Sequence, residues 1–268
     1  MWIYDCTTQS CALSPAEIHL WLAIGAHVTD KQLSEYEGSL SPAEKGQAGR
    51  FYFATDRRRY VLTRALVRTV LSQYAAVAPR DWSFSTNAWG RPEIVNSEGA
   101  ECGLSFNLSH TRDLVVMALA KRRSLGVDVE QPHAREANLE LARHYFAPQE
   151  VEELAALPAG ERAQRFFEYW TFKEAYIKAR GMGLALPLDK FSLCYPDAHS
   201  VKLSIDPDLA DQPARWQLWQ LRLRAGYLIA ICAERVRERT KLVIRQGLAA
   251  QRAEDFPIEV LRYSDSAL

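Results

Sequence analysis

The stretch WTFKEAYIKARG, from Trp170 to Gly181, predicts a helix that carries its charged groups on one side. Side chains four residues apart lie on the same helix face, so Trp170, Glu174 and Lys178 form one stripe. Gly181 stands where a left-handed residue would cap the carboxyl end. We therefore expect a helix that ends at Gly181 and presents Glu174 and Lys178 side by side.

A second stretch, LGVDVE from Leu125 to Glu130, alternates apolar and polar residues as a half-buried strand does. Gly126, Asp128 and Glu130 share one face, because side chains two residues apart point the same way. We expect the missing side chain at Gly126 to leave room for a ligand beside the carboxylates. Two acids on one face raise each other's pKa, and a bound cation reverses that effect.

The donor atoms indicate which cation this face would suit. Carboxylate oxygens suit Mg²⁺, which keeps several waters and is usually held by a few carboxylates and substrate phosphates. No histidine or cysteine stands close enough in sequence to suggest zinc. Taken alone, each stretch also fits a solvated strand face or an ordinary salt bridge on a helix.

Taken together, the two stretches resemble the 4′-phosphopantetheinyl transferases of the surfactin-synthetase-activating type. That family reads [IV]-G-[IV]-D-x-E in the strand, and W or F, two residues, then K-E-[AS]-x-x-K in the helix. Both patterns match here without a departure. Two further family motifs stand in the expected order, WGRPEI at Trp89 to Ile94 and FNLSHT at Phe106 to Thr111. The resemblance spans roughly Phe51 to Leu193.

The resemblance implies a reaction in which the phosphopantetheine arm of coenzyme A moves to a serine of an apo acyl or peptidyl carrier protein. Adenosine 3′,5′-bisphosphate is released, and Mg²⁺ is required. The nucleophile then belongs to the partner, which agrees with a sequence that has neither a G-x-S-x-G elbow nor a cysteine with an assigned base. Such phosphoryl transfer depends above all on positioning and charge neutralisation.

The resemblance also assigns roles around the reacting pyrophosphate. Asp128, Glu130 and Glu174 are expected to hold Mg²⁺, which would act as Lewis acid and template. Lys178 is expected to neutralise the pyrophosphate, and Lys173 to contact the same ligand, each as a mobile point charge. Asp128, Glu174 and Lys178 are therefore the catalytic candidates. Either Glu174 or a bound water would take the proton of the serine.

A second group of residues is expected at the 3′-phosphate and adenine end of coenzyme A. Arg91, within WGRPEI, and Ser109 and His110, within FNLSHT, match family positions that contact that end. Arg59 and Arg64 match positions near the 3′-phosphate in different branches of the family. Each of these five residues is carried over by resemblance alone.

Arg59 and Arg64 belong to a predicted helix from about Arg57 to Tyr74, for which Asp56 is the expected N-cap. Its arginine stripe also fits a solvated face. The chain departs from the family just before this helix, where two lysines of the surfactin type are replaced by Glu44 and Gln47.

The order of predicted elements indicates an α+β fold in two similar halves, each a helix packed on a small antiparallel sheet. In the family such halves are related by a pseudo-twofold. The turn KRRS, Lys121 to Ser124, suggests a first half 1–122, a second half 123–237 with the metal site, and a C-terminal extension 238–268 without an assigned role. Strands are predicted near Trp82, Ile94, Leu104 to Leu108, Leu114 to Ala120, Phe191 to Tyr195, Val201 to Ile205, Trp216 to Leu223 and Tyr227 to Ala233.

Composition agrees with an enzyme of the cytoplasm. The 268 residues include 33 basic and 33 acidic side chains, so the chain has no charge excess of the kind typical of nucleic-acid binders. The five cysteines form no C-x-x-C pair, which favours reduced thiols. The first residues, MWIYDCTTQS, lack a secretory pattern, and no apolar run is long enough for a bilayer. We expect neither secretion nor membrane insertion, and by resemblance a monomer.

Two other function classes stay open, and so does the choice of partner. One class is a non-catalytic coenzyme A binding module, and the other is a Mg²⁺-dependent pyrophosphohydrolase with water as nucleophile. The carriers of fatty-acid, polyketide and nonribosomal-peptide synthesis all display a reactive serine, so the motifs do not choose among them. The segment from Gln131 to Leu157, with Leu139, Tyr145 and Phe146, either docks the carrier or fills the core.

Overall fold

The computed structural model describes residues 12–132, 139–248 and 258–264, with only the backbone of Leu184. The chain divides into two compact units. Among the described residues, the first unit comprises 12–87, 92–123 and 240–248, and the second comprises 88–91, 124–132, 139–239 and 258–264. Cys6 and Cys11 lie outside the described residues, whereas Cys102, Cys194 and Cys232 are free thiols.

Strands and helices are numbered along the chain. The strands are β1 Glu17–Ile24, β2 Phe84–Thr86, β3 Pro92–Ile94, β4 Leu104–His110, β5 Leu114–Lys121, β6 Leu125–Glu130, β7 Phe191–Cys194, β8 Lys202–Ile205, β9 Trp216–Leu223, β10 Leu228–Glu234, β11 Lys241–Gln246 and β12 Ile258–Tyr263. The α-helices are α1 Asp30–Glu37, α2 Pro42–Ala48, α3 Ala54–Leu71, α4 Ser97–Cys102, α5 Leu139–Tyr145, α6 Pro148–Ala156 and α7 Ala159–Arg180.

The first unit is built on a mixed sheet in the order β11-β1-β5-β4. Strand β1 pairs antiparallel with β5, where Trp21 faces Met117, and parallel with β11, where Leu20 faces Ile244. Helix α3 packs on β5, and its buried Leu62 and Leu66 join Trp21 and Met117 in one core. The expected antiparallel sheet is therefore mixed in this unit, because β11 comes from the far end of the chain.

Helix α3 begins three residues earlier than the sequence pattern suggests. Its N-cap is Phe53, which has no side-chain capping bond, and the helix starts at Ala54. Asp56 therefore lies inside the first turn, where a carboxylate favours the helix dipole, and it pairs with Arg59 at 2.8 Å. The prediction of Asp56 as N-cap is wrong for this reason.

The second unit is built on an antiparallel sheet in the order β12-β9-β10-β6. Helix α7 packs across β6 and β10, and Gly181 ends it with φ of 67°, which confirms the predicted left-handed cap. No helix among the described residues combines the length and apolarity needed to cross a membrane.

The face of β6 beside Gly126 is covered by α7. A Cβ atom built on Gly126 would overlap the carbonyl oxygen of Ala175 and the backbone nitrogen of Ala179, and would come within 2.9 Å of the Lys178 carbonyl carbon. The expectation that Gly126 leaves room for a ligand is wrong, because the helix backbone fills that room. Gly126 instead sets how closely α7 approaches the strand that carries the carboxylates.

The segment after residue 237 is not a separate extension. Strand β11 completes the sheet of the first unit, and β12 pairs with β9 at the edge of the second sheet. The division between the two units falls after Arg123, and residues 249–257 and 265–268 lie outside the described part of the chain. The α+β class is confirmed, whereas the pseudo-twofold between the halves stays a prediction.

Candidate functional site

Strand β6 and helix α7 bring an aspartate and a lysine of the predicted site into direct contact. The Lys178 Nζ atom donates to Asp128 Oδ1 at 2.6 Å and to the carbonyl oxygen of Val127 at 3.2 Å. The Asp128 side chain is 7% exposed and that of Lys178 is 26% exposed. A buried carboxylate thus meets a partly accessible ammonium, and the expected roles of both in catalysis stay predictions.

Glu174 lies within electrostatic reach of both strand carboxylates. Burial raises the pKa of Glu174, and the negative charge of Asp128 raises it further. The ammonium of Lys178 opposes these effects, and Glu130 adds a smaller upward contribution. Three carboxylates and one ammonium therefore share this region of the second unit.

The chemistry of this cluster suits a hard cation. Its donors are three carboxylates, which is the ligand type that Mg²⁺ prefers. Within the part of the chain that the structure describes, no three acidic, histidine or cysteine side chains are already gathered at metal-binding distance. This result is compatible with the electrostatic effect of Asp128 and Glu130 on Glu174. Charges act on a neighbour's pKa over roughly 4–6 Å, whereas Mg²⁺ binds oxygen at about 2.0–2.1 Å, so the carboxylates would have to move closer to bind the ion. The metal site stays a prediction that this donor set supports.

Lys173 does not take part in this cluster. Its side chain is fully buried, and its Nζ atom lies 2.8 Å from Glu150 Oε2. It also donates to the carbonyl oxygens of Leu188 and Phe191, both at 2.7 Å. The predicted contact between Lys173 and coenzyme A is wrong, because all three ammonium hydrogens are used inside the protein.

Arg91 belongs to the second unit and lies against the end of α7. Its guanidinium donates to the carbonyl oxygens of Lys178 at 3.0 Å and Ala179 at 3.2 Å. A third bond reaches the carbonyl oxygen of Leu125 at 3.2 Å. Arg91 thus ties the last turn of α7 to the start of β6, and its nucleotide contact stays a prediction.

The remaining predicted residues lie in the first unit. Ser109 is buried on β4, and His110 is exposed at the end of that strand. Arg59 lines a cavity of about 610 Å³ together with Arg58, Arg112 and Asp30. The structure therefore buries Ser109, exposes His110 and places Arg59 at a cavity of the first unit, and the contacts of all three with coenzyme A stay predictions.

Arg64 does not line that cavity. Its Nε atom lies 3.8 Å from Glu44 on α2, and its guanidinium stacks 5.5 Å from the centre of the Tyr60 ring. Glu44 stands where the resemblance expects a lysine, and it also accepts from Arg68 at 2.6 Å. In place of the lysine that the resemblance expects, the chain therefore has a carboxylate that pairs with Arg64 and Arg68 of α3.

Arg68 and Glu150 have structural roles for which the sequence carries no signal. Arg68, part of the arginine stripe, is buried and donates to the carbonyl oxygens of Pro79 at 3.0 Å and Trp82 at 2.9 Å. Glu150 lies on α6, far in sequence from its partner Lys173. Neither partnership follows a helix or strand period, so only the tertiary structure reveals it.

The expected docking segment lies only partly within the described residues, since 133–138 are outside them. Phe146 is buried and stacks on Phe166 at 5.1 Å between ring centres. Leu141 and Tyr145 on α5 are about one-third exposed. Phe146 therefore fills the core, as the alternative interpretation of this segment held.

Comparison with known proteins covers both units. The model of the 4′-phosphopantetheinyl transferase superfamily matches residues 124–232, and the model described as 4′-phosphopantetheinyl transferase, N-terminal, matches residues 27–122. The 4′-phosphopantetheinyl transferase HetI of Nostoc sp. is 37% identical over 71% of this chain and 79% of its own. The 4′-phosphopantetheinyl transferase Sfp of Bacillus subtilis is 31% identical over 76% and 88%.

These matches extend well beyond the motifs in β6 and α7. Both relatives exceed 30% identity over more than two-thirds of this chain, and the two family models match residues 27–122 and 124–232, which include parts of both units. The chain is therefore an enzyme that belongs to the 4′-phosphopantetheinyl transferase superfamily, in its surfactin-synthetase-activating type.

Proposed function

We propose that this transferase moves the 4′-phosphopantetheine arm of coenzyme A to a serine of apo acyl or peptidyl carrier proteins in a Mg²⁺-dependent reaction. Membership of the superfamily supports the transfer itself. The observation that supports the Mg²⁺ dependence is the grouping of three carboxylates, because Asp128 and Glu130 lie close enough for their charges to act on Glu174. Carboxylates that repel one another gain most from a shared cation.

The donor set indicates how Mg²⁺ would be held. Asp128, Glu130 and Glu174 would supply oxygen ligands, and the ion would polarise the pyrophosphate of coenzyme A as a Lewis acid. Lys178, hydrogen-bonded to Asp128 at 2.6 Å, brings a positive charge to the same place. That ammonium would offset the negative charge of the bound pyrophosphate and the negative charge that develops on the leaving group during transfer.

The transfer needs one bond formed, one broken and one proton moved. The serine oxygen of the carrier bonds to the phosphorus that bears pantetheine, and the bridging P–O bond to adenosine 3′,5′-bisphosphate breaks. The serine proton goes to Glu174 or to a water. A carboxylate that holds Mg²⁺ is a poor base, so a bound water would take the proton when Glu174 serves as a metal ligand.

The same proposal includes the class of acceptor, the oligomeric state and the location of the enzyme. Acceptors would come from nonribosomal peptide, polyketide or fatty acid synthesis, and the enzyme would act as a monomer in the cytoplasm. These expectations rest on the family resemblance and on the sequence. Sedimentation of the purified chain and transfer assays with one carrier of each class would check the oligomeric state and the acceptor range.

The test is to mix the protein with coenzyme A, Mg²⁺ and a panel of apo carriers, and to record intact masses with and without EDTA. The proposal expects a carrier that gains one phosphopantetheine only when Mg²⁺ is present. Free phosphopantetheine without a modified carrier would identify a pyrophosphohydrolase. Coenzyme A binding without any product would identify a binding module.

A further inference from the structure

The second unit contains an ion pair from which solvent is completely excluded. Lys173 on α7 and Glu150 on α6 both have fully buried side chains, with 2.8 Å between Nζ and Oε2. The other two ammonium hydrogens point at the carbonyl oxygens of Leu188 and Phe191, each at 2.7 Å. Every hydrogen-bonding position of the lysine is therefore used.

Both carboxylate oxygens of Glu150 also accept backbone hydrogen bonds. Glu150 Oε2 also accepts from the backbone N–H of Ala147, and Oε1 accepts from the backbone N–H of Leu193, both at 2.9 Å. The pair thus joins α7 to the start of α6, to β7 and to the turn before β7. Such directional bonds allow far less rotation of α7 than an apolar contact does, because apolar contacts are not directional.

Lys173 directly precedes Glu174 on α7. Consecutive residues of an α-helix lie about 100° apart around its axis, so the two side chains point to different surroundings. Lys173 points to α6 and β7, whereas Glu174 lies within electrostatic reach of Asp128 and Glu130. A rotation of α7 that loosened the Lys173 bonds would move the Glu174 carboxylate relative to the strand.

The opposite side of the same turn is fixed by a different contact. The backbone of α7 at Ala175 and Ala179 lies directly against Gly126 of β6. Gly126 therefore sets the distance between helix and strand, whereas the bonds of Lys173 set the rotation of the helix. Together the two contacts leave the Glu174 carboxylate little freedom.

We infer that the Glu150–Lys173 ion pair is a positioning device for phosphopantetheinyl transfer, which holds Glu174 beside Asp128 and Glu130. This inference rests on the proposed function and deepens it. Lys173 is then a positioning residue and touches no substrate. A buried ion pair adds little net stability compared with apolar packing, so a gain in conformational specificity accounts better for its presence.

The test compares two double variants that each remove the charge of a buried glutamate together with that of one cationic partner. Lys173→Met alone leaves the Glu150 charge buried without its cation and can fail to fold. The informative variant is Glu150→Gln/Lys173→Met, which removes both charges and keeps similar volumes. The control is Glu168→Gln/Arg262→Met, because Glu168 is also buried on α7. This variant breaks the ion pairs of Glu168 with Arg262 and with Arg165, both at 3.0 Å, so it perturbs α7 at least as much.

Each protein is first shown by circular dichroism to be folded at the assay temperature. Then kcat and the KM for coenzyme A are measured, together with Mg²⁺ binding by calorimetry in the presence of coenzyme A. For Glu150→Gln/Lys173→Met we expect kcat to fall about 10²-fold, as a misplaced catalytic group implies, with weaker Mg²⁺ binding and a much smaller change in KM. The control should keep the wild-type kcat and Mg²⁺ affinity.

Wild-type kcat and Mg²⁺ affinity in Glu150→Gln/Lys173→Met would overturn the inference, and so would an equal loss in the control. If the wild type modifies no carrier, the proposed function fails, and calorimetry alone then decides the inference. Equal Mg²⁺ affinity in the wild type and Glu150→Gln/Lys173→Met, or no Mg²⁺ binding by the wild type, would contradict it.

Discussion

His19 shows how far a buried side chain can depart from its usual chemistry. Its Nδ1 atom lies 2.6 Å from the Tyr74 hydroxyl, which also accepts from the Trp21 indole N–H at 3.0 Å. The Nε2 atom lies 3.4 Å from Glu17, and the tautomer with its hydrogen on Nε2 would let Nδ1 accept from the Tyr74 hydroxyl. Burial, followed by the positive charge of Arg245, lowers the pKa of His19 to about 4.

This shift predicts a loss of stability in mild acid. The folded pKa is about 4 and the unfolded value about 6.5, so the unfolded chain binds more protons between these pH values. The contribution of neutral His19 is complete above pH 6.5 and disappears as pH falls towards 4, with a span of about 3 kcal/mol. Urea unfolding at pH 7 and pH 4.5 measures it.

The matched comparison is His19→Gln, which cannot take up that proton. Carboxylates contribute to both proteins, so the difference between their pH dependences isolates His19. We expect the free energy of unfolding of His19→Gln to fall less between pH 7 and pH 4.5 than that of the wild type. Identical slopes would show that His19 keeps an ordinary pKa.

The sequence indicates the placement of some side chains on α7 but not of others, for a physical reason. Glu174 and Lys178 follow from helix periodicity, because both belong to one stripe of a single element. The role of Lys173 depends on Glu150, which another helix supplies, so no local pattern distinguishes a ligand contact from a buried ion pair. A family resemblance indicates that a lysine is expected at position 173. Only the fold shows that its ion-pair partner is Glu150.

The pairing of α7 with β6 depends on the absence of a side chain at Gly126. An added methyl group would overlap backbone atoms of Ala175 and Ala179, which a rotamer change cannot relieve. Gly126→Ala should therefore lower the free energy of unfolding by about 3 kcal/mol or more, since it overpacks a rigid contact. Thermal and urea unfolding of the purified variant would measure this loss.

Gly46→Ala provides the control within a helix. Gly46 lies in α2, and a Cβ atom built there would have no neighbour within 4 Å. This substitution should leave stability unchanged or raise it by about 0.5–1 kcal/mol, because alanine favours a helix over glycine. If Gly126→Ala proved as harmless as Gly46→Ala, the close contact between α7 and β6 would be incorrect.

The arginines of α3 differ in role although they follow one another along the same helix. Arg68 is buried against Glu44 and several carbonyl oxygens, whereas Arg57 is 45% exposed and pairs with Glu37. Arg68→Met should cost about 3 kcal/mol, because it leaves Glu44 and the buried carbonyl oxygen of Trp82 without their guanidinium donor. Arg57→Met should cost at most about 1 kcal/mol. Equal losses in urea unfolding would contradict this assignment.

Across the whole chain, residues from the two ends of the sequence complete the sheets. Strand β1 lies between β5 and β11, and β9 lies between β10 and β12. Most predicted strands agree with the structure, because hairpins such as β4–β5 carry local turn and alternation signals. Strands β1, β11 and β12 were missed, because their pairing joins residues far apart in sequence, which no short window contains.

Truncating the chain at two different points separates the effects of β11 and β12 on the two sheets. A chain ending at Arg239 lacks β11 and β12, whereas a chain ending at Leu248 lacks only β12. Hydrogen exchange should show weakened protection of β9 in both chains, but of β1 only in the shorter one. A strand that loses its neighbour becomes an exposed edge. Undiminished protection of β1 in the shorter chain would contradict the parallel β1–β11 pairing.

The central claim is that the carboxylates of β6 and α7 hold the Mg²⁺ on which phosphopantetheinyl transfer depends. The most direct measurement is the initial rate of carrier modification against Mg²⁺ concentration for the wild type, Glu174→Gln and Glu161→Gln, an exposed acid in the first turn of α7. We predict a loss of about 10²–10³-fold for Glu174→Gln and none for Glu161→Gln. A wild-type rate and Mg²⁺ requirement in Glu174→Gln would contradict the claim.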